Sequence, residues 1–297
     1  MTETIEGLAA RLQTTAEIGD IVRVMKTLAS VSIRQYDKAC QALETYQHTI
    51  RMGLQAVLHG TGRGATDHSG ETSAPRALVF IGSDRGLCGN FNEIISQYAS
   101  EQYLSPPDAP DGAAHLLAVG QRGALHIAAH GHGPERNLDL PGAVGGLAAV
   151  ARRVLLVLDG WRESEPGLAV DICYNRRLEK RQVAPCGLRL LPTPPEELHS
   201  LAVAPWPSRG LPFHRMPLET LLPALQREHA YVKIYRAIAD SLASEHARRL
   251  TAMQAAERNI DEMLEALHTR HRTLRQEAIT SELLDIVAGY ESMSPRG

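Results

Sequence analysis

Residues 224–288 read ALQREHAYVKIYRAIADSLASEHARRLTAMQAAERNIDEMLEALHTRHRTLRQEAITSELLDIVA, a run of 65 residues between Pro223 and Gly289 without glycine or proline. At 1.5 Å of rise per residue an uninterrupted helix of that length is about 100 Å long. Its apolar positions recur at helical steps: Leu225, Val232, Tyr235, Ile238, Leu242, then past Arg249 to Met253, Ala256, Ile260, Met263, Leu267, Leu274, Ala278, Leu283 and Ile286. This is the stripe of an amphipathic helix. Such a helix, polar on most of its surface, is marginal in water unless the stripe is buried.

The other end of the chain supplies a partner. From Met1 to about Leu58 there is no proline, and Leu8, Leu12, Thr15, Ile18, Val22, Met25 and Leu28 lead on to Tyr36, Ala39, Leu43, Tyr46, Ile50 and Leu54 at three- and four-residue steps. Gly7, Gly19 and Gly53 each weaken this helix by about 1 kcal/mol relative to Ala, so it too needs a tertiary partner. Two such helices bury their stripes on each other, which predicts a long antiparallel coiled coil built from both termini. Neither end carries Leu at every heptad seam position, so irregular pairing is expected.

Between the helices the texture changes. Residues 59–74, rich in Gly, Ser and Thr, read as a linker. Beyond it, Ala77–Ile81, Leu116–Val119, Leu168–Tyr174 and Gly187–Leu191 look like strands, with helices over Asn90–Leu104 and Gly123–His130. Ala148–Leu158 fits either state by periodicity and is read as helix. Strands alternating with helices predict a Rossmann-like, mostly parallel α/β domain inserted between the terminal helices. The prolines from Pro192 to Pro223 mark an extended connection. The expected division is 1–58 helix, 59–74 linker, 75–205 α/β domain, 206–223 connection and 224–297 helix.

A net charge of -3 gives no electrostatic footprint for nucleic acid or for an anionic membrane surface. No stretch approaches the roughly 18 apolar residues of a membrane span, and the acidic start Met1–Glu6 lacks the apolar run of a signal peptide. Cys40, Cys88, Cys173 and Cys186 have no C-x-x-C spacing, which fits a reduced compartment and excludes a local zinc ribbon.

Motifs with chemical potential are few. Gly60-Thr-Gly-Arg-Gly-Ala65 matches a dinucleotide fingerprint in letters, but it follows a helix and leads into a linker, whereas the mechanism needs a strand before and a helix after. Ser83-Asp84-Arg85-Gly86-Leu87-Cys88-Gly89 does follow a strand and precede a helix. It lacks the Lys-Ser/Thr of a phosphate loop, and Cys88 has no adjacent base, so a structural turn fixed by Asp84 and Arg85 is expected. Two of His126, His130 and His132 can share one helix face, as in metal sites, but without Asp, Glu or Cys nearby in sequence they read as surface histidines. No metal and no cofactor are expected.

Three blocks resemble the gamma subunits of F-type ATP synthases, the central stalk of a rotary motor. They are Met25-Lys-Thr-Leu-Ala-Ser30, the Ser83–Gly89 loop, and Ala243 to Gly289, where Ala-Ser-Glu-x-Ala-x-Arg, Ala-Met-x-x-Ala and Arg-Gln-x-x-Ile-Thr-x-Glu-Leu-x-x-Ile-Val-x-Gly follow in the family's order. The resemblance spans the whole chain. It implies a shaft whose paired helices enter a ring of three alpha and three beta subunits, with the α/β part touching the epsilon subunit and the ring of membrane c subunits. It implies peripheral attachment at the cytoplasmic face of a bacterial inner membrane, coupling of ion flow to the beta subunits, and no active site, nucleic acid or membrane insertion of the chain's own. By the same resemblance Met25, Lys26, Arg249, Arg275, Gln276, Thr280 and Glu282 are rotor–stator contacts, and Ile286–Met293 lies in an apolar bearing. Departures at Glu17-Ile18, Asp20–Arg23, Ser32 and His271-Arg272 mark a divergent bacterial member. The competing reading is a self-contained α/β nucleotide-binding protein with a coiled-coil interaction arm.

Overall fold

A computed structural model describes residues 4–61, 75–105, 112–178, 182–206, 210 and 213–293. The chain divides into two units, one of Met1–Ala29 with Leu250–Gly297 and one of Ser30–Arg249. Two long helices, α1 (Ile5–Thr61) and α6 (Leu218–Met293), contribute to both.

In the first unit α1 and α6 run antiparallel: Lys26 pairs with Glu257, while Arg23 lies 3.9 Å from Glu257 and from Asp261. The contact line of α1 is Leu8, Leu12, Thr15, Gly19, Val22, Lys26 and Ala29, each buried or half-buried. Those steps alternate four and three, which is a strict heptad seam. On α6 the matching line is Met253, Glu257, Ile260, Leu264, Leu267, His271, Leu274 and Ala278. The pairing is thus regular where the sequence suggested irregularity, because small and polar residues occupy seam positions that a search for Leu passes over. At Gly19 an added Cβ would sit 3.2 Å from Ile260 Cγ2, so the missing side chain lets the helices approach.

The second unit has a five-stranded sheet in the order β3-β2-β1-β4-β5, formed by β1 (Arg76–Ile81), β2 (His115–Val119), β3 (Arg136–Leu138), β4 (Ala169–Arg177) and β5 (Val183–Leu191). β1 is parallel to β2 and β4, β2 is parallel to β3, and only β5 runs antiparallel. Alternation along β1 sends Ala77, Val79 and Ile81 to one face and Leu78 and Phe80 to the other. The first face is covered by α4 (Leu147–Ser164), by Tyr36 and Ala39 of α1 and by Ala230–Ala243 of α6. The second is covered by α2 (Phe91–Ala99) and α3 (Gln121–Ala129). Three layers result, and one long helix of each terminus is part of the core.

The proline-rich stretch is more ordered than expected. α5 (Pro195–Val203) takes Pro195 at its first position, where no N–H is needed, and α6 begins at Leu218 and carries Pro223 about one turn in. α2 continues through one π turn, Ser100–Leu104. The short edge strand β3 was not foreseen. Of the linker, 62–74 lie outside the described residues.

At the start of β2, His115 holds two carboxylates: Nδ1 is 2.9 Å from Glu135 and Nε2 is 3.0 Å from Glu165, with the ring stacked on Trp161. Both nitrogens can donate only in the imidazolium form. Burial by itself lowers the His115 pKa, but the hydrogen bonds to Glu165 and Glu135 outweigh it and the net shift is upward. A raised folded value stabilises the protein below the unfolded pKa of about 6.5 and withdraws that stability as pH rises through the folded value. Urea midpoints of the native chain should therefore fall relative to those of His115→Gln as pH rises from about 6 to 8. Parallel pH profiles for the two proteins would contradict this.

Candidate functional site

The loop from Ser83 to Gly89 joins β1 to α2 and is fixed from several sides. The Ser83 amide donates to Asn92 Oδ1 at 3.0 Å, and Asn92 Nδ2 donates to Ser83 Oγ at 2.8 Å. Asp84 accepts from the Gln121 amide at the start of α3 and from the Leu140 amide after β3, both at 2.9 Å. A carboxylate at a helix N-terminus satisfies an orphan N–H and complements the dipole. Gly82 and Gly123 meet backbone to backbone, and the Gly123 amide donates to Ser83 O. Leu87 is held at φ 62 and stays exposed, the one non-glycine with positive φ among the described residues. Cys88 is buried, and desolvation, reinforced by Glu245, raises its thiol pKa, which disfavours the thiolate.

Arg249 reaches this loop from α6. Its Nη2 donates to Glu245 Oε1 at 2.5 Å and to the Gly86 carbonyl at 3.2 Å, and Nη1 lies 3.2 Å from His246 Nδ1. Arg249 is 7% exposed and Glu245 4%. Burial pushes the Glu245 carboxyl up, against the opposing pull of Arg249. Burial and then the positive charges of Arg249 and Arg85 lower His246 to about 4, so its Nδ1 accepts from Arg249 as neutral imidazole. That ring stacks on Tyr36 of α1 at 5.7 Å. Arg249, expected at a stator surface, thus has bonded partners inside the chain. A guanidinium this buried needs partners close by, and Glu245 and the Gly86 carbonyl supply them within the chain.

Lys26 is likewise turned inward, with Nζ 2.6 Å from one Glu257 oxygen and 2.8 Å from the other. Met25 beside it is half-buried. Arg275, Gln276, Thr280 and Glu282 all face outward on α6, where Thr280 Oγ1 bonds only back to the Gln276 carbonyl among the contacts described. From Ile279 to Ala288 every side chain is exposed, including Ile279, Leu283, Leu284, Ile286 and Val287. On α1, Ile18, Ile21, Val24 and Leu28 form a second apolar line outside the seam. Exposed apolar surface on this scale marks an interaction site. Side chains beyond Ala288 are outside the described residues, as are 62–65 of the glycine-rich stretch.

The histidines of α3 do gain a carboxylate that the sequence did not place: Glu93 of α2 lies 3.7 Å from His126 Nδ1 and 3.5 Å from His130 Nε2. Among the described residues no group of three has metal-holding geometry, and no helix is long and apolar enough to cross a membrane.

A family model described as ATP synthase matches residues 4–293. Curated relatives include the ATP synthase gamma chain of Trichlorobacter lovleyi, 27% identical over 292 residues and covering 98% of this chain and 99% of that one. The ATP synthase gamma chain of Streptococcus pneumoniae is 26% identical over 309 residues, covering 99% and 100%. Among solved structures, a chain of the Euglena gracilis mitochondrial ATP synthase (OSCP/F1/c-ring, rotational state 3) aligns with TM-score 0.63 at 18% identity, covering 97% of this chain and 94% of that one. A chain of the Tetrahymena thermophila mitochondrial ATP synthase central stalk and c-ring gives 0.55 at 21% identity, covering 80% and 99%.

Proposed function

Because the chain belongs to the ATP synthase gamma chain family, we propose that it is the central rotor shaft of an F-type ATP synthase, joining ion flow through a membrane c ring to conformational change at the catalytic beta subunits. The observation that carries this reading is the family match over 4–293, which takes in both long helices and the α/β part alike. The exposed apolar lines on α1 and α6 fit it, because a ring of alpha and beta subunits gives them a place to be buried. The epsilon subunit and c ring are the partners assigned to the α/β part, at the cytoplasmic face of a bacterial inner membrane. The chain carries no active site of its own in this reading, and ATP is bound by its partners.

Coupling then follows from asymmetry. One shaft inside a ring of three beta subunits presents a different surface to each, so chemically identical sites are biased toward different conformations by differential contact free energy. Arg275, Gln276, Thr280 and Glu282 are the outward polar groups assigned to this contact, with Met25 at its edge. Lys26 and Arg249 are assigned to holding the shaft together.

Replacing Arg275 and Gln276 together by Ala should lower ATP hydrolysis by the reconstituted complex several-fold, the scale expected for losing about 1–2 kcal/mol of charged hydrogen bonding. Unchanged turnover would remove these residues from the contact. Co-purification of the chain with alpha and beta subunits tests the function itself, and the isolated chain should show no ATP turnover.

A further inference from the structure

Most of what holds α6 against the sheet is apolar: Ala230, Ile234, Ala237, Ile238, Leu242 and Ala243 pack into the core under the first face. Apolar contact is non-directional, so it resists separation far better than it resists sliding or turning of a helix about its axis. A helix that carries torque needs directional contacts as well, placed on something that does not yield.

Arg227 bonded to Asp159, His229 and Lys233 to Glu197, and Arg248 to the Val183 carbonyl are such contacts, and the set is completed by Arg249. It is the last residue of the α/β unit, so it lies where α6 leaves that unit. Its planar fork bonds at once to Glu245 on its own helix and to the Gly86 carbonyl of the loop, and it touches His246, whose ring stacks on Tyr36 of α1. The loop is a stiff anchor: Ser83 is bonded to Asn92 of α2, and Asp84 is bonded to the first amide of α3 and to the Leu140 amide beyond β3. The guanidinium thus ties α6 to a loop that is itself tied to the sheet, and His246 beside it carries the contact on to α1.

We propose that Arg249 is a positioning residue of the rotor: through the Gly86 carbonyl and Glu245 it locks α6 to the Ser83–Gly89 loop, so that torque passes between shaft and α/β unit without slip. This rests on the rotor reading above. It gives the Ser83–Gly89 motif a mechanical role as the anchor of that lock.

The test uses the complete ATP synthase reconstituted in vesicles, with ATP hydrolysis and ATP-driven ion pumping measured on the same preparation. Arg249→Lys keeps a cation beside Glu245 but its single ammonium cannot span both partners. The double variant Glu245→Leu with Arg249→Met removes the charges together and keeps the buried volume filled, which avoids leaving one charge unpaired. Both should assemble and hydrolyse ATP, while ions pumped per ATP fall on the order of tenfold in the double variant, the factor that accompanies loss of one charge-assisted hydrogen bond, and less in Arg249→Lys. An unchanged ion-to-ATP ratio in both variants would overturn the proposal, as would hydrolysis and pumping falling together, which a stator contact or a general folding defect produces. Should one variant fail to fold, the other decides by the same ratio. If the unaltered chain does not assemble with alpha and beta at all, the rotor reading fails and the lock fails with it. Assembly with normal coupling in the variants sinks the lock alone.

Discussion

Gly82→Ala should destabilise the α/β unit by about 3 kcal/mol or more, the upper range for forcing atoms into a filled site. A Cβ at Gly82 would lie 2.4 Å from the Gly123 Cα and 3.2 Å from Asn92 Oδ1. The first obstacle is backbone at the start of α3, which cannot swing aside as a side chain can. The second is the carboxamide oxygen that receives the Ser83 amide. The same contact seen from the other side puts a Cβ at Gly123 2.6 Å from the Gly82 Cα, so Gly123→Ala should behave alike. Urea unfolding of the isolated chain measures this directly. A midpoint within error of the native one would mean that α3 has room to move away from the loop and that the anchor is softer than described.

Removing one member of the buried ion pair should cost about as much. Glu245→Ala leaves Arg249, 7% exposed, without its carboxylate, and breaking a buried pair from one side costs about 3–5 kcal/mol. Arg249 keeps only the Gly86 carbonyl and the neutral His246 ring, both weaker partners for a guanidinium. The double change to Leu and Met should recover most of this loss, because no charge is then left behind. Comparing the single and double variants in one denaturation series isolates the coupling between the two sites. Equal destabilisation by the single and the double change would show that packing volume and not charge is what the pair supplies.

Much of the architecture was readable from residue periodicity. The long apolar stripes, the absence of proline over 224–288 and the switch to short apolar runs after residue 75 depend on local composition, and each became the element it suggested. The position of the seam was not readable. Ile18, Leu28, Tyr46 and Met263 continue an apolar stripe as well as their neighbours do, yet all are exposed, while Gly19, Ala29, Leu264 and His271 lie on the contact line. Two adjacent helix faces each carry apolar residues at three- and four-residue steps, and hydrophobicity does not say which one meets the other helix and which awaits a different protein. Close approach decides it, through the missing side chain at Gly19. β3 escaped because Arg136 and Asn137 are exposed and only Leu138 is buried, which is too short a pattern to register.

The site shows the same division. That Ser83–Gly89 is a strand-to-helix turn followed from its neighbours in sequence. That Arg249 closes on Gly86 from 163 positions away could not, because the contact exists only once α6 lies across the sheet. A signal was nonetheless present: Glu245 and Arg249 stand one helical turn apart in a stretch otherwise rich in Ala and Leu, the spacing of an ion pair on a face with little water.

The most direct test of the rotor assignment is to watch the chain turn. Leu156 on α4 is exposed and the four native cysteines are buried or half-buried, so Leu156→Cys provides a selective attachment point for a bead on the α/β unit. With alpha and beta subunits of the same organism assembled around the chain and fixed to a surface, addition of ATP should drive sustained rotation of the bead in one direction, with three preferred dwell angles per turn. A bead that stays fixed or only fluctuates on a complex that hydrolyses ATP, or a chain that never joins alpha and beta, would contradict the account.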